Sequence, residues 1–194
     1  MRTAALPAPV VTRPRTVAVG SLLATGAAFM AFAGLVAIYV QQRQQARATG
    51  QEWFPEGSVE LGPAGMMMMT LALSVVTVQW AVQAARNEDR PHGFVALAVT
   101  LLFGAAVVNQ FWFVYSDTAF AIDAGTAQLL FYAVTGSFVA MLVAGSAMLT
   151  VTTIRALMGS SGRDLAQGVQ AAAVYWHMCV FCYFIVWYVV FINK

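Results

Sequence analysis

The sequence predicts an all-α membrane protein: a bundle of five transmembrane helices with the N-terminus cytoplasmic and the C-terminus external. Three observations predict it. The 194 residues are 60% hydrophobic and only 9% charged, against the roughly 25% charge of an ordinary soluble domain, and mean hydropathy is +0.73. The apolar residues gather in five long runs, each enough to cross a hydrocarbon core of roughly 30 Å as a helix. Their interiors contain no Asp, Glu, Lys or Arg. A transmembrane strand would instead alternate apolar and polar residues over roughly ten positions.

Residues 1–15 carry Arg2, Arg13 and Arg15 with three prolines, a basic cytoplasmic arm predicted to be disordered. The five-helix domain is expected over residues 16–194. Its first run, Thr16–Val40, exceeds the roughly 7 to 15 residues of a signal-peptide core and reads as a retained span. The others are Gly62–Ala85, Gly93–Tyr115, Thr126–Ile154 and Gly168–Phe191. The connections, Gln41–Leu61, Arg86–His92, Ser116–Gly125 and Arg155–Gln167, are short enough for one compact bundle. Seven Lys and Arg residues fall on the side of the N-terminal arm and three (Arg43, Arg47, Lys194) on the other. By the positive-inside rule the arm is cytoplasmic.

Ionisable residues at depth mark ion pathways, proton relays and voltage sensors, so their lack in these spans argues against an ion-coupled carrier acting alone. His177 is the one titratable imidazole at depth, roughly 14 Å into the last span. The other histidine, His92, lies in a turn. Cys179 and Cys182 are rotated by roughly 160° and 140° from His177, so the three cannot close on one metal ion. His177 is therefore expected to be structural, bonded to a carbonyl or hydroxyl on a neighbouring helix. The cysteines read as small packing residues. Met66–Met69 spreads round the helix, which suits soft packing better than a copper site.

The remaining polar and small residues read as helix glue. Thr70, Ser74 and Thr77 share a face; Asn109 and Gln110 lie towards the end of the third span. Gly20, Ala24 and Ala28, and again Gly136, Ala140 and Ala144, form small-residue ridges that would let backbones approach closely. Trp53, Trp112, Tyr115, Trp187 and Tyr188 are placed as anchors at the outer boundary.

Tyr175-Trp176-His177-Met178 resembles the Tyr-Trp-His-Phe signature of subunit III of haem-copper cytochrome oxidases. Two more stretches are similar in order and spacing: Met30-Ala31-Phe32-Ala33-Gly34-Leu35 with Tyr39, and Ser74-Val75-Val76-Thr77 with Gln79 and Ala84-Ala85-Arg86. The resemblance runs from about residue 16 to the end, and it matches the short, five-helix form of the family. It singles out Tyr175, Trp176, His177, Gly34, Tyr39, Gln79 and Arg86 as structural, lipid-contact or subunit-contact residues. The family's buried carboxylates and histidines fall at Ala28, Phe113, Phe138, Met141 and Val180, all apolar here.

The resemblance implies a non-catalytic accessory subunit of a respiratory terminal oxidase in a bacterial inner membrane, acting in aerobic electron transport. It would stabilise the catalytic subunit I, pack against other oxidase subunits and seat phospholipid. No cofactor would be bound by this chain; haem and copper would sit in the partner. An accessory protein of a nitric oxide reductase shares the five-helix pattern. A third reading is a stand-alone membrane transporter or enzyme, which predicts a polar, water-accessible cavity.

Overall fold

A computed structural model describes residues 16–54, 60–118, 120–158 and 163–193. The basic arm and Lys194 lie outside the described residues. Five helices run in order: α1, Thr16–Ala48; α2, Leu61–Arg86; α3, Arg90–Asp117; α4, Thr126–Leu157; and α5, Arg163–Val186, which continues as a π-helical segment, Trp187–Ile192. All five are long and apolar enough to cross a membrane. The expected all-helical bundle is observed, and among the described residues there is no strand.

α5 is the central rod, packed against α1, α2 and α4, while α2 neighbours α3, α3 neighbours α4, and α4 neighbours α1. Half of the most apolar window of the last span is buried inside the chain (50%), against 11% for α1. A helix that is apolar all round and mostly uncovered is what a lipid solvent permits, because association there does not depend on hiding apolar surface from water.

The helices overrun the expected spans at several ends. α1 continues eight residues past Val40, because Gln41–Ala48 is made of Gln, Arg and Ala, all good helix formers. Arg43 was expected in a connection. It is instead a helical residue, only 4% exposed. Its guanidinium donates to the carbonyl of Val189 at 2.8 Å and also to that of Asn193. These are among the last carbonyls of the chain's final helical turn, which the helix itself leaves unsatisfied, and a cation is favoured at that negative end of the helix dipole. Tyr39, one turn earlier on α1, lies under the same guanidinium, 5.8 Å from ring centroid to Cζ. Its hydroxyl accepts from Trp53 Nε1 at 3.0 Å.

The turn between α2 and α3 is tighter than expected. Only Asn87, Glu88 and Asp89 separate the helices, with Glu88 in the left-handed region at φ 58°. Asp89 caps α3, accepting from the His92 amide at 3.3 Å, and Pro91 occupies the first turn, where its missing N–H costs nothing. His92 Nδ1 lies 2.8 Å from the same carboxyl. Hydrogen bonds from His92 hold the Asp89 carboxyl below its ordinary range. A depressed carboxyl pKa contributes to folding above the unfolded value, so the cap is complete at neutral pH and is lost as pH falls through the lowered value.

The two small-residue ridges do not do what was expected of them. A Cβ built on Gly20 or Gly136 would meet nothing within 4 Å, and Ala24, Ala140 and Ala144 are exposed. Gly104 and Gly145 are the described glycines against which an aromatic side chain of another helix packs closely.

Replacing Arg43 by Met should leave the Val189 and Asn193 carbonyls without their donor. A loss of about 1.5–3 kcal/mol is expected, typical of hydrogen bonds to a charged group. Thermal unfolding in detergent, with hydrogen exchange of residues 186–193, measures it; wild-type stability in the variant would refute the role given to Arg43.

Candidate functional site: the Tyr175-Trp176-His177 segment

Trp176 is fully buried at the centre of the bundle. Its indole lies over Gly104 of α3, where an added Cβ would come within 2.7 Å of Cη2, and against Gly145 of α4, where one would stand 3.4 Å from Cε3. Its Nε1 donates to Ser74 Oγ of α2 at 2.9 Å, and that hydroxyl donates in turn to the Leu71 carbonyl at 2.6 Å. One side chain of α5 thus touches all of α2, α3 and α4. Tyr175 packs its ring edge on Gly145, at 3.2–3.3 Å from a hypothetical Cβ.

Two turns on, Tyr183 repeats the arrangement. Its hydroxyl donates to the Ala64 carbonyl at 2.8 Å, and its ring meets Phe138 at 5.2 Å and Phe111, edge to face, at 6.1 Å. Thr77 and Thr100 share a hydrogen bond of 2.8 Å between α2 and α3. Near the α3 C-terminus Tyr115 donates to Thr135 of α4 at 3.0 Å. Phe138, Met141 and Val180, where the resemblance would put ionisable side chains, are buried in this apolar core.

His177 departs from expectation. Its Nδ1 lies 2.5 Å from the carbonyl of Ala173, four residues back on its own helix, and the ring is only half-buried. Of the other residues singled out from the sequence, Tyr39 is fully buried, in the Trp53 and Arg43 cluster. Gly34 and Gln79 face outwards, and Arg86 is exposed at the end of α2. Structure therefore joins Tyr175 and Trp176 in one core site and leaves His177, Gly34, Gln79 and Arg86 at the periphery. Of the five expected boundary aromatics, Trp112 and Tyr188 are exposed, whereas Trp53 is buried.

Cys179 and Cys182 are buried thiols, the first 3.7 Å from the Met141 carbonyl and the second 3.4 Å from Met178 Sδ. Among the described residues no three His, Cys, Asp or Glu side chains gather as a metal site would require. A cavity of about 420 Å³ opens at the α2–α3 turn, walled by Ala81, Phe94, Leu97, Leu157 and Leu165 with Asp89 and Arg90 among its lining residues.

Sequence reading has Ser74 as helix glue, and it does bond across helices, to Trp176; Gly104 and Gly145 it missed altogether. Each of the two helices holds a second glycine, Gly93 in α3 and Gly136 in α4, so composition alone does not single out the pair that faces Trp176.

The family model for Cytochrome c oxidase subunit III matches residues 10–193. Among curated relatives, "Cytochrome c oxidase subunit 3" of Struthio camelus is 29% identical over 131 residues, 66% of this chain and 50% of that protein. The Homo sapiens protein of the same description is 30% identical over 131 residues, with the same coverage. That of Danio rerio is 30% identical over 128 residues, 64% of this chain and 49% of that protein. The chain spans about half the length of the curated relatives it matches.

Gly104→Ala should destabilise the bundle by about 1–3 kcal/mol, the usual range for overpacking, because a rigid indole cannot yield. Adding Trp176→Leu should recover part of that loss. Gly136→Ala, in open space, should be neutral or slightly stabilising through helix propensity. Thermal unfolding of the three variants checks the pattern, and equal effects of the two Gly→Ala changes would sink it.

Proposed function

We propose, from the premise that this chain belongs to the cytochrome c oxidase subunit III family, that it is a non-catalytic accessory subunit of a haem-copper terminal oxidase in aerobic electron transport. The observation that carries the reading is the extent of the family match, residues 10–193, which takes in all five helices. The fold supports it: a central rod fastened to three neighbours by buried aromatics makes a rigid brace, with broad apolar faces left for other subunits and lipid. Haem and copper are assigned to the partner, catalytic subunit I.

The membrane is proposed to be the inner membrane of a bacterium, with the N-terminus cytoplasmic. Excess Lys and Arg on the Arg86, Arg90 and Arg155 side supports that orientation. Phospholipid is assigned to the crevice at the α2–α3 turn, where apolar walls suit an acyl chain and Arg90 suits a phosphate.

Purification through a tag on this chain should recover a protein carrying both haem and copper, and deletion should shorten that complex's active lifetime during turnover. Haem with non-haem iron in the recovered partner, or a deletion complex with unchanged stability, turnover and subunit content, would overturn the reading. His177→Phe should lower subunit recovery or bound lipid while leaving haem and copper spectra intact. Loss of those spectra with the subunit still present would contradict its peripheral role.

A further inference from the structure

The outer face of α3 carries a polar group that its surroundings cannot satisfy. α3 has 28 residues, so Asn109 stands about 8 Å along the axis from the helix midpoint. A hydrocarbon half-thickness of about 15 Å puts it well inside the apolar layer. Its side chain is exposed, and among the described residues its amide has no hydrogen-bond partner. Outward hydroxyls elsewhere avoid this cost by bonding back to their own helices, as Thr150 does to Ser146 and Ser116 to Trp112. Asparagine's short stem cannot carry its amide to the interface, as a long side chain can.

Asn109 also sits within a regular stripe. Val95, Ala98, Leu102, Ala105, Asn109 and Trp112 follow one another at alternating spacings of three and four, and all are exposed. That is the seam on which a second helix packs, small residues making holes between large ones, and a single Asn in it sets register. Acyl chains offer no donor or acceptor, whereas Asn side chains hydrogen-bond across packed transmembrane helices. Gln79 on α2 is likewise exposed, in a stripe of the same spacing, Met69, Ala72, Val76, Gln79, Gln83 and Arg86. That stripe ends in polar residues, and the longer stem of Gln79 can carry its amide away from the apolar layer, which leaves α3 as the face whose amide needs a partner.

We infer that the α3 stripe seats a transmembrane helix of another subunit of the complex, one presenting an amide, hydroxyl or carboxyl group at the depth of Asn109. This rests on the accessory-subunit reading and adds to it the docking face and the chemistry of the partner.

The test uses the intact purified complex. Asn109→Leu should reduce retention of this chain in a detergent titration by roughly three- to fifteen-fold, the span expected from measured interhelical hydrogen bonds, while Asn109→Gln stays within about twofold of wild type. Leu102→Cys, treated with a short thiol crosslinker, should yield a peptide from a membrane span of a different subunit. Wild-type retention of Asn109→Leu, or a crosslink only to a second copy of this chain, would overturn the inference and leave the accessory-subunit reading standing. Failure of the wild-type chain to purify with a haem-copper protein would overturn both.

Discussion

The architecture depends on one indole in a slot floored by glycine. Lipid tails are as apolar as the side chains they solvate, so burial supplies little drive for helix association; close packing and hydrogen bonds between helices take its place. Trp176 provides both. Its ring contacts two helices at positions where a methyl group would intrude or crowd, and its N–H reaches Ser74 on a third. Ser74 answers the polar requirement of the indole, since a buried N–H without an acceptor is costly in hydrocarbon.

The same tendency, for hydroxyls and helix-end carbonyls in the apolar layer to find partners, explains details remote from Trp176. Threonine and serine hydroxyls along α2, α3 and α4 return to carbonyls three or four residues back, and some also bridge helices, as Thr77 does to Thr100. At the far end, carbonyls that a finishing helix leaves free would meet the membrane boundary unsatisfied. Arg43, sent across from α1, supplies their donor. Its burial is compatible with its charge because it faces carbonyl oxygens and an aromatic ring.

These fastenings suit an accessory subunit. Interior positions are occupied by large aromatics in fixed contacts, so the bundle has little room to rearrange. Outer surfaces are extensive and apolar: Leu23, Met30, Met69, Leu102 and Trp112 are each about two-thirds exposed or more. A rigid body with such faces is suited to bracing neighbours in the membrane.

The number and order of spans were legible in the sequence, because continuous apolar runs of helical length have no other stable fate in a bilayer. The Tyr175-Trp176-His177 segment was legible as the distinctive stretch, and Tyr175 and Trp176 prove central. His177 was not, for the side of a helix that meets a neighbour is invisible when every side is apolar. The small-residue ridges misled for the same reason: Gly20 and Gly136 share the composition of Gly104 and Gly145 but lie on outward faces. Arg43 looked like a loop charge, and only the approach of the chain's last turn to α1 gave it carbonyls to serve. The sequence by itself thus determined that five apolar rods must cross the membrane. Which faces pair, and so which glycine is a seat and which cation a cap, only the tertiary structure decided, because close packing depends on shape matched between segments as far apart in the chain as Ser74 and Trp176.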